Sequence, residues 1–189
     1  MQQSNLELLE ETSKIDGFSN PHQGQAPMVL DIEASGFGVG SYPIEIGVAM
    51  PDGQIYQWLI KPAPDWTHWR PEAEAVHGIS RAQLDAEGLP IREVATALNR
   101  LVAGNVVFSD GWGVDSSWLA LLYHEAGFRQ HFRLDSIYSL LNEVEIDFWT
   151  EFRHAVTAAH GNVRHRAGLD AEVCQKTYMK IKAQHIKVD

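Results

Sequence analysis

The chain has 189 residues, 44% of them hydrophobic, which suits one domain whose core needs neither disulfides nor a structural zinc. Its formal net charge of −10 argues against a protein that holds long duplex DNA by counterion release. The single cysteine, Cys174, excludes an intrachain disulfide and cysteine-rich zinc motifs, and it fits a cytoplasmic location. No run approaches the roughly 18 apolar residues of a membrane span, so no membrane partner is expected.

The N-terminal third of the chain predicts an arm followed by strands. Residues 1–27 are polar and rich in Gln and Ser, so we expect a loose arm ahead of a single domain at residues 28–189. The pattern then becomes strand-like in three runs, at residues 28–34, 44–50 and 54–60. An Asp-Gly pair, Asp52 and Gly53, separates the last two runs and is a strong hairpin signal. The three strands should therefore form an antiparallel meander.

Helical periodicity replaces alternation further along the chain. Ile91, Val94, Leu98 and Leu101 predict a helix that stops at Gly104. The elements predicted next are a strand at Val106–Ser109, a helix at 116–126, a strand at 132–134, and helices at 147–159 and 170–183. This order predicts an α/β fold, in which an antiparallel three-strand meander and parallel strands form one mixed sheet flanked by helices. Such sheets bind ligands near the carboxyl ends of their strands.

Two acids interrupt the first apolar strand. Asp31 and Glu33 are two residues apart, so on a strand their carboxylates share one face. Carboxylates in an apolar strand are costly unless they are paired or bind a metal. The alternative is the solvent face of an edge strand, and the pair alone does not decide between the two.

A third acid lies beyond the Val106–Ser109 strand. Asp115 precedes an expected helix, so it is either an ordinary helix N-cap or a site carboxylate. Asp110 competes for the same role. We prefer Asp115, because the apolar residues Trp118 and Leu119 then fall where the helix needs them.

The last pair precedes the C-terminal helix. His165 and Asp170 are separated by four residues. Read separately, Asp170 is a favourable acid for the first turn of a helix, and His165 is one of nine histidines.

Taken together, these segments resemble the DEDDh group of 3′→5′ exonucleases, the DnaQ-like branch of the RNase H-like superfamily, over about residues 28–183. The flanking text that agrees is VLDIEASG at 29–36, IEIG at 44–47, VHGIS at 76–80 and HRAGLDA at 165–171. The resemblance implies an RNase H-like fold and release of nucleoside 5′-monophosphates from single-stranded DNA or RNA 3′ ends. It also implies that Asp31 bridges two metal ions and that Glu33, Asp115 and Asp170 complete the metal site, and it is compatible with a homodimer.

The chemistry of these residues agrees with a metal-dependent hydrolase. Two like charges 4 Å apart repel by roughly 4 kcal/mol at an effective dielectric constant of 20, so four converging carboxylates require cations or protons. Oxygen ligands suit two Mg²⁺ ions, with Mn²⁺ as a substitute. His165 suits the general base that takes the proton of the attacking water, because histidine titrates near neutral pH.

The 3′ terminal nucleotide also needs a pocket. Ser35, Gly36 and Phe37 directly follow the first motif, so their backbone or the Phe37 ring is expected to meet that nucleotide. His77 is expected to be structural and near the substrate. Weaker candidates for stacking are Trp66, Trp69 and Trp112.

One departure and two rival functions stay open. Gly111 stands where the family usually has Asn, which affects local substrate contacts. The rivals are a catalytically silent RNase H-like module that binds a partner and a hydrolase of a smaller phosphate ester. The acidic charge favours short single strands, while the choice between DNA and RNA stays open.

Overall fold

A computed structural model of the chain describes residues 14–15, 17–21, 24–161 and 164–184. The strands in chain order are β1 (Lys14–Ile15), β2 (Phe18–Ser19), β3 (Val29–Ala34), β4 (Pro43–Ala49), β5 (Ile55–Leu59), β6 (Val106–Ser109) and β7 (Arg133–Ser136). The α-helices are α1 (Pro71–His77), α2 (Arg81–Glu87), α3 (Ile91–Val102), α4 (Trp112–Ala126), α5 (Glu143–Asp147), α6 (Trp149–His160) and α7 (Ala167–Ala183). A short 3₁₀ helix, Ile137–Leu140, follows β7.

Strands β3 to β7 form one mixed sheet in the order β5-β4-β3-β6-β7. β3, β4 and β5 pair antiparallel, whereas β6 pairs parallel with β3 and β7 pairs parallel with β6. The predicted meander with added parallel strands is therefore confirmed. The carboxyl ends of β3 and β6 consequently lie at the same edge of the sheet, which is where ligands bind in sheets of this kind.

The two faces of β3 serve different purposes. Leu30, Ile32 and Ala34 belong to a core on the side of α3 and α4. The alternate residues Val29, Asp31 and Glu33 face the side of α6 and α7, where Val29 joins a second core. Because side chains alternate along a strand, both carboxylates point to the α6 and α7 side of the sheet.

A close backbone approach brings α7 onto β4. A Cβ atom on Gly47 would lie 2.1 Å from the backbone nitrogen of Gly168, so no larger residue fits at that position. The absence of side chains at Gly47 lets the start of α7 lie directly on the sheet. This contact determines where the residues around the α7 N-terminus stand relative to β3.

The helices differ from the sequence prediction at several points. α6 begins at Trp149 rather than at residue 147, α7 begins at Ala167 rather than at residue 170, and α5 was not predicted. α4 begins at Trp112 rather than at residue 116, so Gly113 lies inside its first turn. α1 and α2 were not predicted at all. Each has seven residues and buries only one of them, His77 in α1 and Leu84 in α2. Their sequences therefore contain no apolar repeat that would predict a helix.

Part of the expected N-terminal arm packs on the domain. β1 and β2 pair antiparallel, and the backbone N–H of Ser19 donates to the carbonyl of Gly104 at 2.8 Å. Phe18 packs against the second core. Residues 1–13 of the arm lie outside the described residues. Among the described helices, none has the length and apolar character to span a membrane.

Candidate metal centre

A cavity of about 330 Å³ opens where β3, α1, α4, α6 and α7 meet. Its wall combines a set of acids with apolar and aromatic residues. The polar and charged lining residues are Asp31, Glu33, His77, Asp115, Arg153, His165 and Asp170. The four carboxylates singled out in the sequence thus come together, although they originate from three separate segments of the chain.

β3 supplies the first two carboxylates. Burial raises the pKa of Asp31 well above its ordinary value, and repulsion from Asp115, then from Glu33 and Asp170, adds to the shift. Burial, followed by repulsion from Asp170 and Glu45, raises the pKa of Glu33 to about 8. Asp31 therefore lies where the fields of the other acids converge. The edge-strand alternative is wrong, because β3 is the central strand of the sheet.

Asp115 reaches the cavity from the first turn of α4. The helix cap is Gly111, not Asp115, so the interpretation of Asp115 as an ordinary N-cap is wrong. The Ser109 hydroxyl donates a hydrogen bond to Oδ2 of Asp115. Burial raises the pKa of Asp115 to about 7, even though the Ser109 hydrogen bond opposes the shift.

Gly111 has a steric role beside this carboxylate. A Cβ atom at Gly111 would lie 2.8 Å from Oδ2 of Asp115 and 3.3 Å from its Cγ. The glycine that departs from the family pattern therefore leaves room for the observed position of the Asp115 side chain. By contrast, a Cβ on the nearby Gly113 would meet nothing within 4 Å.

His165 and Asp170 enter at the start of α7. Nδ1 of His165 lies 3.3 Å from Oδ2 of Asp170, and the Arg166 backbone N–H donates to the same oxygen at 3.1 Å. One ligand atom each from Glu33, His165 and Asp170 falls within 4.8 Å of the other two. Burial raises the pKa of Asp170, although the charges of His165 and Arg153 oppose the shift.

A buried network that the sequence analysis did not assign holds this segment in place. Glu45 on β4 is fully buried and accepts hydrogen bonds from the Arg166 guanidinium and, at 2.9 Å, from the Ala167 backbone N–H. Gln57 on β5 donates to Glu45 at 2.9 Å and accepts from the Gly168 backbone N–H at 2.9 Å. Strands β4 and β5 thereby bind the first backbone N–H groups of α7, which a helix leaves unpaired.

The same network also places a positive charge near the two neighbouring acids Glu33 and Glu45. Glu33 and Glu45 are directly opposite each other on β3 and β4, where like charges repel. The positive charge of Arg166 lowers the pKa of Glu33, against the stronger effects that raise it. The sequence did contain one signal for the role of Glu45, because this acid interrupts an apolar strand in the same way as Asp31 and Glu33 do.

Asp110, the competing candidate for the third acid, occupies a different position. It does not line the cavity, and its Oδ2 lies 2.6 Å from Nη1 of Arg153 on α6. Arg153 itself lines the cavity. No sequence motif indicated Arg153, because only the packing of α6 brings it to the acids.

Three of the four residues expected at the substrate lie at the cavity. Gly36, Phe37 and His77 contribute to its wall. The Phe37 ring is 72% exposed and contacts Trp118, with 5.8 Å between the ring centroids. His77 is buried, Nδ1 accepts from the Ile79 backbone N–H at 3.0 Å, and burial lowers the pKa of its imidazole.

Ser35 differs from this expectation, because its polar groups are already engaged within the protein. Its hydroxyl accepts from the Tyr42 backbone N–H at 3.1 Å and lies 3.0 Å from Nδ1 of His68. Its backbone N–H donates to Tyr42, and its carbonyl accepts from Arg70. Ser35 is buried and outside the cavity wall, so the geometry supports a role in shaping the loop rather than direct contact with a ligand.

The weaker stacking candidates also lie away from the cavity wall. Trp66 is buried in the core, and Nε1 of Trp69 donates to Glu74 at 2.7 Å. Trp112 is exposed, and its Nε1 donates to the carbonyl of Leu134 at 3.2 Å. Trp118, which the sequence analysis used only to position a helix, is the tryptophan of the cavity wall.

The donor set fits a hard divalent cation. The pKa of each of Asp31, Glu33, Asp115 and Asp170 is raised, chiefly by burial, as expected where burial outweighs the effect of nearby positive charges. Carboxylate oxygens are the ligands that Mg²⁺ and Mn²⁺ prefer, whereas zinc favours nitrogen and sulfur.

The strand order and flanking helices define an α/β, RNase H-like architecture, and comparison with solved structures agrees. The sequence itself matches no protein-family model and no curated protein. The fold is similar to E. coli exonuclease I in complex with a dA16 oligonucleotide, with a TM-score of 0.68 and 15% identity over 84% of this chain. For the moderately thermophilic exonuclease I from Methylocaldum szegediense, the TM-score is 0.65, with 16% identity over 85% of this chain. For the zinc-bound form of the E. coli exonuclease I complex with single-stranded DNA, the values are 0.60, 15% and 85%.

These similarities concern the fold. The chain spans only 41% of the length of each of these three solved chains. The predicted class, an RNase H-like mixed sheet flanked by helices, is confirmed by them.

Proposed function

We propose that the chain is a metal-dependent 3′→5′ exonuclease that releases nucleoside 5′-monophosphates from single-stranded DNA. One observation carries this proposal: Asp31, Glu33, Asp115 and Asp170 converge on a single cavity beside His165. The similarity of the fold to exonuclease I, described in complex with dA16, supports single-stranded DNA as the first substrate to test.

The four carboxylates would hold two divalent cations, Mg²⁺ or Mn²⁺. Asp31 is the residue proposed to contact both, because it feels the charges of the other three acids. When bound, such a pair of ions activates a water and stabilises the leaving oxygen during displacement at phosphorus. The zinc-bound form described for the E. coli exonuclease I complex with single-stranded DNA supports a divalent cation at this fold.

His165 is proposed to remove the proton from the attacking water. Its Nδ1 faces Asp170 at 3.3 Å, which orients the ring and leaves Nε2 for the water. The side chain is 61% exposed, so the proton can pass on to solvent. Glu45 and Arg166 keep the chain segment of His165 in position through the network at the start of α7.

The apolar part of the cavity would receive the terminal nucleoside. Val76, Val114 and the Phe37 ring are exposed, and each lines the cavity. Aromatic stacking contributes about 1–3 kcal/mol per base and tolerates any sequence. These side chains line the same cavity as the four carboxylates, so a base can lie against them while its phosphodiester reaches the carboxylates.

The test is a nuclease assay on 5′-labelled single-stranded DNA with and without Mg²⁺. We expect a ladder that shortens from the 3′ end, nucleoside 5′-monophosphate as the product, and no reaction with the Asp31→Asn variant. RNA of the same sequence and a mononucleotide ester are run in parallel. Faster turnover of the ester than of the oligonucleotide would instead support the smaller phosphate ester hydrolase.

The remaining alternative is a catalytically silent module. Such a protein would bind an oligonucleotide or a partner and release no nucleotide at any Mg²⁺ or Mn²⁺ concentration. This result with well-folded wild-type protein would overturn the proposed activity.

A further inference from the structure

A fifth acid, Asp110, forms an ion pair with Arg153 beside the four carboxylates. Asp110 is the residue immediately after β6, and its Oδ2 approaches Nη1 of Arg153 at 2.6 Å. Both side chains are largely buried, with exposed fractions of 17% for Asp110 and 26% for Arg153. Neither residue belongs to the set of carboxylates and histidine assigned above to hold metal and move a proton.

The pair is electrostatically coupled to the cavity. Repulsion from Asp110 contributes to the raised pKa of Asp31 and of Asp115. Burial lowers the pKa of the Arg153 guanidinium, but Asp110 and the nearby acids Asp170 and Asp31 outweigh burial and raise it. Arg153 is thus a permanent cation that lines the cavity beside these acids.

Arg153 changes the net charge around the four carboxylates. Asp31, Glu33, Asp115 and Asp170 carry four negative charges when ionised, which equals the charge of two divalent cations. Asp110 would add a fifth negative charge at the same location. Arg153 cancels this fifth charge, so the cavity keeps the four negative charges that two divalent cations neutralise.

We propose that Arg153 is a positioning residue that neutralises Asp110 and thereby sets the affinity of the cavity for divalent cations. This inference rests on the proposed metal centre. Arg153, which lies on α6, holds the carboxylate of Asp110 outside the cavity wall, so Asp110 does not compete with Asp115 as a ligand. Without Asp110, Arg153 faces the acids as an unbalanced positive charge and opposes cation binding.

The alternative is that the pair only fastens α6 to the end of β6. The two explanations predict opposite effects of losing Arg153 on the affinity for a divalent cation. Loss of a fastening contact loosens the site and can only weaken binding of a cation. Loss of a neutralising positive charge strengthens binding of a cation.

The experiment measures Mn²⁺ dissociation constants by electron paramagnetic resonance for full-length wild-type protein and four variants. The variants are Asp110→Asn, Arg153→Met, the double variant and Arg153→Lys. From the field of one unit charge near a divalent ion, we expect Asp110→Asn to raise the dissociation constant about tenfold and Arg153→Met to lower it about tenfold. The double variant should return to within about threefold of wild type, and Arg153→Lys should match wild type because it keeps the charge.

Thermal melts in the absence of metal identify any variant that fails to fold. If Arg153→Met does not fold, the test relies on Arg153→Lys and on the isosteric Asp110→Asn. Weaker Mn²⁺ binding in Arg153→Met, or a dissociation constant for Asp110→Asn equal to that of wild type, would overturn the role of Arg153. If wild type binds Mn²⁺ and degrades single-stranded DNA while all variants share its dissociation constant, the charge account fails and the proposed function stands. If wild type binds no Mn²⁺, both fail.

Discussion

Replacing Asp115 with Asn should stabilise the metal-free protein while it destroys the metal centre. Asp115 is 3% exposed, and burial raises its pKa from 3.8 to about 7. The folded state therefore binds more protons than the unfolded state between these values, so this carboxyl destabilises the fold increasingly as pH rises through that window. Asn has the same shape and no charge, and its side-chain oxygen can still accept from Ser109.

The size of the effect follows from the pKa shift. A shift of about 3 units corresponds to roughly 4 kcal/mol in the free energy of unfolding above about pH 7, and to almost nothing below about pH 4. For a chain of this size, 1 kcal/mol changes the melting temperature by about 2–4 °C, so the variant should melt about 10 °C higher at about pH 8. Mg²⁺ should narrow this gap, because a bound cation stabilises the ionised carboxylate of the wild-type protein.

Thermal melts by circular dichroism at about pH 8 and at about pH 5, with chelator and then with Mg²⁺, measure this effect. Asp85→Asn is the matched control, because Asp85 is an exposed acid on α2. The melting temperature of this variant should stay near that of wild type. If Asp115→Asn melts within about 2 °C of wild type without metal at the higher pH, the buried Asp115 carboxylate does not destabilise the fold.

The remaining predictions concern neighbours of the same cavity. Asp31→Asn should abolish nuclease activity without unfolding the chain, as a melt beside the nuclease assay will test; a lowered melting temperature would indicate a folding defect instead. His165→Ala should lose about 10²–10⁴ in rate while Mn²⁺ binding persists, and wild-type rates would exclude it as the base. Gly111→Ala should weaken Mn²⁺ binding, because its Cβ would lie 2.8 Å from Oδ2 of Asp115, whereas Gly113→Ala, with nothing within 4 Å, should bind Mn²⁺ normally. Glu45→Gln should lower the turnover rate about tenfold or more, because Arg166 is left without its buried carboxylate and the start of α7 loosens; equal rates would show that the network does not position His165.

Local sequence patterns predicted most of the sheet because each strand carries its own signal. The alternation and the Asp-Gly turn identified the meander, and the Val106–Ser109 strand was predicted with the boundaries observed. The prediction failed where burial is sparse, as in the seven-residue helices α1 and α2. It also failed at α4, where two glycines suggested a loop although the first turn of the helix accommodates one of them.

The candidate site was likewise predicted from the sequence only in part. The spacing of Asp31 and Glu33 alone placed both carboxylates on one face, because side chains alternate along every strand. Which face that would be, and what would cover it, depended on the packing of α6 and α7. Asp115 could not be separated from a helix cap by its sequence context, and the position of Gly111 as the actual cap decided it.

The sequence by itself determined the types and spacing of the acids and the order of the strands. Only the tertiary structure decided which groups balance their charge. Arg153 lies 43 residues beyond Asp110 in the chain, and Glu45 lies 121 residues before Arg166. Pairings of this kind leave no local repeat, because they arise where separate elements pack, and electrostatic energy depends on distance in space rather than along the chain.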